Sequence, residues 1–409
     1  MHDVLVVGAG PGGSAAAQGL AGAGLDVLLC DKADFPRDKT CGDGLTHRAV
    51  AIAREMGALP ELLTAGYRID DFEVVSPRGR VATAPLSERD GVTALVVPRL
   101  QLDDILLRRA IAAGVTFLGR AMVRELTSGN DGVTARVEHG GEVRTERARV
   151  AVLATGAATG LLQRTGLLRH RPAFMVAARE YVHGLPPPQH RLRMGYAGTS
   201  TLGYGWIFPI ADDAVNLGAG IFQHQPGLSA LGVLSTFRDR STLARRVRGG
   251  EVSGRRSYPL RTDFAISQTV GPRMLAVGEA VGLVNPLSGE GIDAALESGR
   301  MAAAHLLGAF SAGDLSEGRL TAYDAQLRER YQAVFETCTK LRNVFVRRSG
   351  PLQRFAVEAA IAMARTNPRL APRLVELVLE NRPIAVPTTP LGLARSWLRR
   401  QPRPQAVTA

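Results

Sequence analysis

The sequence predicts an α/β fold: a parallel-sheet domain with an inserted antiparallel β-sheet domain and a helical C-terminal region. Residues 3–8 form a short apolar run that ends in glycines, residues 14–24 have small residues at helical spacing, and residues 26–31 form a second apolar run. That order is a βαβ unit, which begins a parallel sheet. Residues 173–222 alternate strand patterns with turn segments, which indicates a separate β-layer. Residues 315–381 have mostly helical patterns.

Further predicted strands belong to the parallel-sheet domain and to the inserted sheet. Residues 69–84 predict a hairpin around the turn S-P-R-G, which we place in the inserted sheet. Residues 115–153 predict several strands, and residues 274–277 predict another buried strand of the first domain. The predicted boundaries are 1–68, 92–165 and 260–310 for the discontinuous first domain, 69–91 and 166–259 for the inserted sheet, and 311–409 for the helical region with a flexible tail from about residue 385.

Residues 99–113 predict a strongly amphipathic helix that opens with Arg99. Taken alone, this arginine would be an ordinary surface residue. The residues that we expect to share the apolar face of the helix are Leu102, Ile105, Leu106 and Ile111.

The composition is typical of a globular protein. Apolar residues make up 45% of the 409, and no apolar run approaches the roughly 18 residues that a membrane span needs. The first residues enter a strand directly, which predicts no signal peptide. Neither metal-ligand nor disulfide-framework spacing is present among the three cysteines, Cys30, Cys41 and Cys338. We therefore expect a cytoplasmic protein without a metal site.

The net charge of +12 comes almost wholly from arginine, since lysine supplies only three of the 50 basic residues. Such usage is typical of a high-GC genome of actinobacterial type. Basic residues cluster at 239–256 and at 394–405. We interpret these clusters as a solvated face and a flexible tail, and peripheral contact with an anionic membrane is the alternative hypothesis. Charge of this kind favours anionic partners without identifying one, and we expect no nucleic-acid partner.

The first strand runs into a dinucleotide-binding signature. Gly8, Gly10 and Gly13 stand in G-x-G-x-x-G register, which permits a tight turn, close approach of a pyrophosphate and close helix–strand packing. Asp31 ends the second strand, where a carboxylate can accept hydrogen bonds from ribose hydroxyls. The pattern predicts a Rossmann-like nucleotide domain but does not separate FAD from NAD.

A second glycine-rich helix start favours a flavin. The segment "LAVGEAVGLVNPLSGEGI" (275–292) begins with a buried strand that is followed by Gly278 and Glu279. Pro286 then precedes the turn Gly289–Ile292, which begins a helix. Exposed N–H groups at such a helix start can hold an electron-rich edge such as that of a reduced flavin ring. A nicotinamide enzyme would not need this second site.

Four motifs together resemble the geranylgeranyl reductase family of FAD-dependent oxidoreductases, within the group that shares the para-hydroxybenzoate hydroxylase fold. They are "VVGAGPGGSAAA" (6–17), "FPRDKTCGDGL" (35–45), "YGWIFP" (204–209) and "VGEAVGLVNPLSGEGI" (277–292). The first and last mark the larger flavoprotein group, and the other two point to the reductases. The C-terminal third matches only loosely.

The resemblance implies the cofactor and its contacts. The FAD contacts it implies are Pro11, Gly12, Asp31, Arg37, Cys41, Gly42, Gly44, Arg99, Glu279, Gly291 and Ile292, with a backbone contact to the adenine near Val123. In the 35–45 loop, Arg37 and Lys39 would supply positive charge near phosphate or reduced flavin, while Gly42 and Gly44 would let the backbone pass close to the ring. The alternative is a loop whose proline and glycines merely turn the chain.

The resemblance also implies the substrate pocket and the catalytic residues. Tyr204 and Trp206 would form the pocket wall beside the flavin, with Phe208 and Pro209 as further substrate contacts. The alternation of the first three along a strand would equally suit core packing. Cys41 would lie near the reactive face of the ring, either as a local acid or as a small side chain that packs there. We predict Cys41, Tyr204 and Trp206 as the catalytic residues.

Two positions depart from the pattern of the family. Glu279 replaces the usual aspartate and keeps an acid that can bind a ribityl hydroxyl. Thr155–Gly156 replaces an Asp-Gly pair, and that aspartate is implicated in flavin and reduced-nicotinamide interactions in the hydroxylases. Its absence weakens a hydroxylase interpretation and puts direct use of NADPH in doubt.

The resulting function is reduction of isolated C=C bonds in an isoprenoid chain, either a geranylgeranyl group or a menaquinone side chain, by hydride from reduced FAD. The alternative is an FAD-dependent monooxygenase that hydroxylates or epoxidises an aromatic or polyketide compound. A flavin-dependent halogenase and a protein with purely structural flavin are further alternatives. The electron donor stays open among NADPH, a ferredoxin and another reductant.

Overall fold

The computed structural model describes residues 1–86, 94–196, 203–222, 227–347, 351–367 and 370–383. The helices are α1 (Pro11–Ala21), α2 (His47–Glu55), α3 (Leu59–Ala65), α4 (Arg99–Ala112), α5 (Gly160–Arg164), α6 (Ala230–Arg240), α7 (Ile292–Ser311), α8 (Glu317–Arg347), α9 (Pro351–Thr366) and α10 (Leu370–Val378), with short 3₁₀ turns at Leu243–Val247, Phe264–Ile266 and Gly278–Val281. The strands are β1 (His2–Val7), β2 (Val27–Cys30), β3 (Gly44–Leu45), β4 (Tyr67–Ile69), β5 (Asp71–Val75), β6 (Val81–Pro85), β7 (Ala94–Val96), β8 (Thr116–Leu118), β9 (Ala121–Ser128), β10 (Val133–His139), β11 (Glu142–Leu153), β12 (Phe174–His183), β13 (Arg191–Gly195), β14 (Gly203–Ala211), β15 (Ala214–Ile221), β16 (Glu251–Arg261), β17 (Val270–Gly271) and β18 (Met274–Ala276).

The first sheet contains the predicted parallel layer, β18-β11-β1-β2-β8, to which β17, β10 and β9 are added by antiparallel pairs. Its central order is β17-β18-β11-β1-β2-β8, and β1 pairs in parallel with both β11 and β2. The apolar runs of β1 and β2 are almost wholly buried, as expected for strands covered on both faces. Helix α1 packs closely on α7, where a Cβ on Gly299 would lie 2.3 Å from the carbonyl oxygen of Gly12. The α/β prediction is confirmed.

The second sheet corresponds to the predicted insertion. Its order is β16-β12-β15-β14-β13-β5-β6, and all neighbours are antiparallel except β13 and β5. That parallel pair joins the two separate chain segments from which the sheet is built. The predicted hairpin is present, since β5 pairs with β6 across the turn 76–80. A small third sheet has the strand order β3-β7-β4. Its strands occur in the sequence where the chain passes from one large sheet to the other.

Helix α4 differs from its prediction at one position. Leu102, Ile105 and Leu106 are buried, but Ile111 is 43% exposed. At about 100° per residue, position 111 lies on the side of the helix opposite position 102. Ala110 occupies the buried position in its place.

The C-terminal helices are packed into both large sheets. Tyr323, Tyr331 and Phe335 of α8 are fully buried in the core of the first sheet. Helices α9 and α10 lie against β6 of the second sheet. The predicted flexible tail and the predicted boundary at 91/92 fall outside the described residues. Among the described helices, none is both long and apolar enough to cross a membrane.

Candidate functional site

The turn between β1 and α1 brings backbone groups very close together. Gly8 has a φ of +106°, and a Cβ there would lie 2.3 Å from the carbonyl oxygen of Ala154. A Cβ on Gly13 would lie 1.8 Å from the carbonyl oxygen of Gly8. Gly10 caps α1, and no described side chain hydrogen-bonds to this helix start. The first N–H groups of α1 are therefore open to an anionic group.

Asp31 fixes the neighbouring wall of the site. Its Oδ2 accepts a hydrogen bond from the N–H of Ala9 at 2.7 Å, and its Oδ1 accepts one from the N–H of Ala33 at 2.8 Å. These bonds hold the carboxylate at the end of β2. Each oxygen keeps a lone pair with which it can accept from a ribose hydroxyl.

A cleft of about 1020 Å³ opens from this turn, and we call it the cofactor cleft. The predicted residues that line it are Gly8, Gly10, Pro11, Gly12, Asp31, Arg37, Lys39, Cys41, Arg99, Val123, Glu279, Gly289, Gly291 and Ile292. Thr155 and Gly156 also line it, and the Thr155 hydroxyl donates to the carbonyl oxygen of Ala158. Four predicted cofactor contacts do not line the cleft. Gly13 lies behind the turn, Pro286 is buried in the loop before α7, and Gly42 and Gly44 line a second cavity instead.

The cations of the cleft are held by two buried acids. Asp103 is fully buried, accepts two hydrogen bonds from Arg99 at 2.7 Å each, and pairs with Arg37 at 2.9 Å. Lys39 pairs with Glu279, at 2.7 Å between Nζ and Oε2. The sequence interpretation missed Asp103, although its i,i+4 spacing from Arg99 was a signal for it.

The second predicted helix start faces the same cleft. Gly291 caps α7, and in the first turn of this helix the N–H of Asp293 donates to the carboxylate of Glu290 at 3.1 Å. The preceding turn is shaped by Asn285, whose Oδ1 accepts from the N–H groups of Leu287 and Ser288. The open N-terminus of α1, the glycine turn at Gly8 and the start of α7 at Gly291 thus line one cleft. This donor set fits a dinucleotide with a second electron-rich end, as FAD has.

The loop that carries Cys41 rests on a buried carboxylate. Asp43 is completely buried, and its Oδ2 accepts from Nδ2 of Asn216 at 2.8 Å and from the hydroxyl of Tyr181 at 2.9 Å. Asn216 also donates to the carbonyl oxygen of Cys41 at 2.7 Å and accepts from Nε1 of Trp206 at 2.9 Å. Burial raises the pKa of Asp43 to about 6, although the two hydrogen bonds act to lower it. We call these five residues the Asp43 network.

Cys41 lies where the cofactor cleft meets a second cavity, because this residue lines both. Burial raises its pKa, and the nearby Arg99 only partly opposes that shift. The thiol is therefore protonated at neutral pH, so it can donate a proton.

The second cavity has a volume of about 120 Å³, and we call it the apolar pocket. Its described wall is formed mainly by Gly42, Gly44, Leu45, Leu86, Ala94, Met175, Leu192, Met194, Tyr204, Trp206, Phe208 and Leu260. The rings of Tyr204, Trp206 and Phe208 follow one another along one face of β14, at centroid distances of 6.1 and 6.3 Å. Pro209 is buried but does not line this pocket, because the next position along a strand points to the other face.

Two glycines allow the aromatic wall to take this position. A Cβ on Gly218 would lie 1.9 Å from the ring of Trp206. A Cβ on Gly42 would lie 3.0 Å from the ring of Phe208. The indole therefore lies directly over β15, and the Cys41 loop packs against Phe208.

The apolar pocket has one polar end that the sequence interpretation missed. His47 and Glu380 line it, and Nδ1 of His47 lies 3.2 Å from Oε1 of Glu380. Both side chains are 3% exposed. Glu380 follows α10, and its other carboxylate oxygen, Oε2, lies 3.5 Å from Nε of Arg382. No sequence motif links α2 to a residue so far along the chain.

Comparison with known proteins gives both sequence and structural relatives. Residues 1–179 match the sequence family described as FAD binding domain. Menaquinone reductase of Mycolicibacterium smegmatis is 35% identical over 355 residues, which is 83% of this chain and 83% of that protein. Digeranylgeranylglycerophospholipid reductase 2 of Methanosphaera stadtmanae is 27% identical over 336 residues, 78% of this chain and 81% of that protein. With the fit of the cleft, these matches identify FAD as the cofactor.

Solved structures share the fold. A geranylgeranyl bacteriochlorophyll reductase-like protein of Thermoplasma acidophilum has a TM-score of 0.79 at 20% identity, covering 92% of this chain and 99% of the other. A triple mutant of a flavin-dependent brominase has a TM-score of 0.76 at 21% identity, covering 98% and 100%. Because one fold carries both activities, the distinction must come from the site.

Proposed function

The chain belongs to the geranylgeranyl reductase family of FAD-dependent oxidoreductases, and on that premise we propose that it saturates an isolated C=C bond of an isoprenoid chain. The side chain of a menaquinone is the leading substrate and a geranylgeranyl group the second. One observation carries the proposal: the apolar pocket shares Cys41, Gly289, Gly291 and Ile292 with the cofactor cleft. A chain in the pocket would therefore meet the cofactor at its reactive end.

Saturation of the alkene requires one hydride and one proton. Reduced FAD, when bound, supplies the hydride equivalent. In this proposal the proton comes from Cys41: the S–H bond breaks, the second alkene carbon gains the proton, and the thiolate is later reprotonated by water. Arg99 and Lys39 would stabilise the thiolate, since both cations act to lower the Cys41 pKa.

The aromatic wall would serve the same step. As the proton and hydride add, positive charge develops on the alkene, and an aromatic face attracts such charge. Tyr204 and Trp206 place two aromatic side chains in the pocket wall. The apolar lining would also exclude water, which strengthens this interaction.

The Asp43 network would position both groups. Asn216 hydrogen-bonds to the Cys41 carbonyl oxygen and to the Trp206 indole, so one amide sets the loop and the ring relative to each other. Asp43 in turn fixes the Asn216 amide. We assign these two residues a positioning role.

The proposal includes an external electron donor and a lipid surface. Reduced nicotinamide, a ferredoxin or a quinol are the donors to compare, by anaerobic bleaching of the flavin with each. We propose a cytoplasmic protein that contacts an anionic membrane through its basic residues, including those at 394–405, which lie outside the described residues. Unchanged liposome binding after deletion of residues 391–409 would contradict a role for that segment.

The deciding experiment is anaerobic turnover. The purified FAD-bound protein is reduced with dithionite and mixed with menaquinone or geranylgeranyl lipids, and products are followed by mass spectrometry. We expect a mass gain of about two daltons per saturated bond, together with reoxidation of the flavin. No mass gain, with fast oxygen-dependent oxidation of NADPH in air, would instead favour the monooxygenase.

A further inference from the structure

One residue in the described wall of the apolar pocket, His47, has a buried ring nitrogen without a hydrogen-bond partner. This nitrogen is Nε2. The imidazole cannot easily turn away, because its Nδ1 faces the carboxylate of Glu380 and only 3% of its side chain is exposed. A buried nitrogen without a hydrogen bond destabilises the folded protein, so its presence in a pocket wall points to a ligand that completes its bonding.

The other polar groups at this end are already engaged. The Thr46 hydroxyl caps α2 by accepting from the N–H of Ala49. The hydroxyl of Tyr204 donates to the carbonyl oxygen of Ser288. Glu290 accepts from Asn381 and from the N–H of Asp293. Among the buried side-chain nitrogen and oxygen atoms of the described pocket wall, Nε2 of His47 is the one without a hydrogen-bond partner.

We propose that Nε2 of His47 binds an uncharged oxygen atom of the substrate, a hydroxyl or a carbonyl, close to the double bond that is reduced. This inference rests on the proposed function for what occupies the pocket. With Nδ1–H directed at Glu380, a neutral imidazole accepts from a hydroxyl at Nε2, and a protonated one donates to a carbonyl. Either form suits the oxygen of a quinol, quinone or alcohol.

Charge in the pocket disfavours an anionic group at this position. Its described lining contains neither arginine nor lysine, whereas Glu290 and Glu380 both belong to it. A diphosphate placed here would lack the cations that phosphate recognition requires. The volume of about 120 Å³ is that of about four liquid water molecules. An oxygen that reaches His47 must therefore belong to the isoprene unit at the cofactor or to the group bonded to it.

The test is a binding comparison with the FAD-bound protein in its oxidised state. Menaquinone, geranylgeraniol, the corresponding oxygen-free hydrocarbon and geranylgeranyl diphosphate are each titrated while the flavin difference spectrum is recorded. We expect menaquinone, geranylgeraniol or both to bind roughly three- to ten-fold more tightly than the hydrocarbon, the range that one hydrogen bond gives. If only menaquinone binds more tightly, the ligand oxygen is a carbonyl. If only geranylgeraniol does, it is a hydroxyl.

His47→Phe should remove this preference, and His47→Gln should restore part of it because its amide can still hydrogen-bond. His183→Phe, at the last residue of β12, serves as the matched control because His183 lines neither cavity. Equal weakening of all four lipids by His47→Phe would assign His47 a packing role and overturn the inference, as would tightest binding of the diphosphate.

Turnover separates this inference from the proposed function. Reduction of all lipids without any preference for oxygen would overturn the inference alone. Absence of both turnover and spectral response in the wild type would overturn the proposed function as well.

Discussion

The cofactor cleft and the apolar pocket adjoin each other but are built in different ways. The cleft depends on backbone geometry within short motifs, such as the turn at Gly8 and the cap at Gly291. The pocket depends on side chains from segments far apart in the chain, from Trp206 on β14 to Glu380 after α10. Cofactor binding should therefore be sensitive to single glycines, and substrate turnover to tertiary contacts that leave the cofactor in place.

The largest expected effect is at Gly8. Gly8→Ala would place a Cβ 2.3 Å from the Ala154 carbonyl oxygen at a φ of +106°, so the turn must move. Backbone strain of about 1–3 kcal/mol alone corresponds to roughly ten- to a hundred-fold weaker binding. We expect protein purified without bound FAD, measured as the ratio of flavin to protein absorbance. Gly24→Ala is the control, because Gly24 also has a positive φ but no atom within 4 Å of its Cβ position. Equal FAD loss in both would assign the effect to strain rather than to the site.

The next effect is on the pocket side. Gly218→Ala would place a Cβ 1.9 Å from the Trp206 ring and displace the indole from the pocket wall. We expect kcat/KM for the lipid to fall roughly ten- to a hundred-fold, because a small displacement of a positioning group slows the reaction by that much. The ratio of flavin to protein absorbance should stay unchanged. Gly129→Ala, whose Cβ would have no neighbour nearer than 3.9 Å, should match the wild type. FAD loss in Gly218→Ala would contradict the separation of the two regions.

The same contrast explains what the sequence could predict. The places of Gly8, Gly13 and Asp31 around the turn between β1 and α1 could be predicted, because phosphate and ribose recognition imposes fixed local spacing. His47 and Glu380 are ordinary residues in their own segments, and only tertiary packing brings them together. A local sequence motif cannot identify such a pair.

Two further details show where local patterns succeed and fail. The alternation in "YGWIFP" correctly placed three aromatic rings on one face, because a strand fixes the direction of each side chain. The apolar character of Ile111 was misleading, since its helical angle turns it to solvent. Asn216 gave no signal, because its partners Asp43 and Trp206 lie on other segments.

A third prediction concerns the Asp43 network and pH. Because burial raises the pKa of Asp43 to about 6, lowering the pH through 6 protonates it and weakens its bonds from Asn216 and Tyr181. We expect kcat/KM to decline below pH 6 towards about one tenth at pH 5, the slope of a single ionisation. Anaerobic rates between pH 5 and 8 measure this. Asp43→Asn should be slow and lack the acid limb, whereas the exposed Asp34→Asn should keep it.

Stability should respond to pH in the opposite direction. The folded pKa of Asp43 exceeds its ordinary value of 3.8, so the unfolded chain releases this proton first as the pH rises. The contribution of Asp43 to the free energy of unfolding is therefore fully present below about pH 4 and is lost as the pH rises through 6. Urea denaturation of the wild type and Asp43→Asn across this pH range measures the contribution of Asp43. If the free energy of unfolding of the two proteins changed with pH in the same way, a raised pKa of Asp43 would be contradicted.

The smallest expected effect is that of a side chain in the cofactor cleft, Lys39. Lys39→Met breaks the 2.7 Å ion pair with Glu279 and leaves a largely buried carboxylate at the cofactor cleft without this cation. The loss of charge should weaken FAD binding about three- to ten-fold, as for one charge-assisted hydrogen bond that is partly exposed to solvent. Equilibrium dialysis of the FAD-free protein with FAD measures the change. Lys340→Met, at an exposed pair on α8, removes the same charge from the net balance and should have no effect. If both variants lost affinity equally, long-range charge would hold the cofactor and the local pair would not.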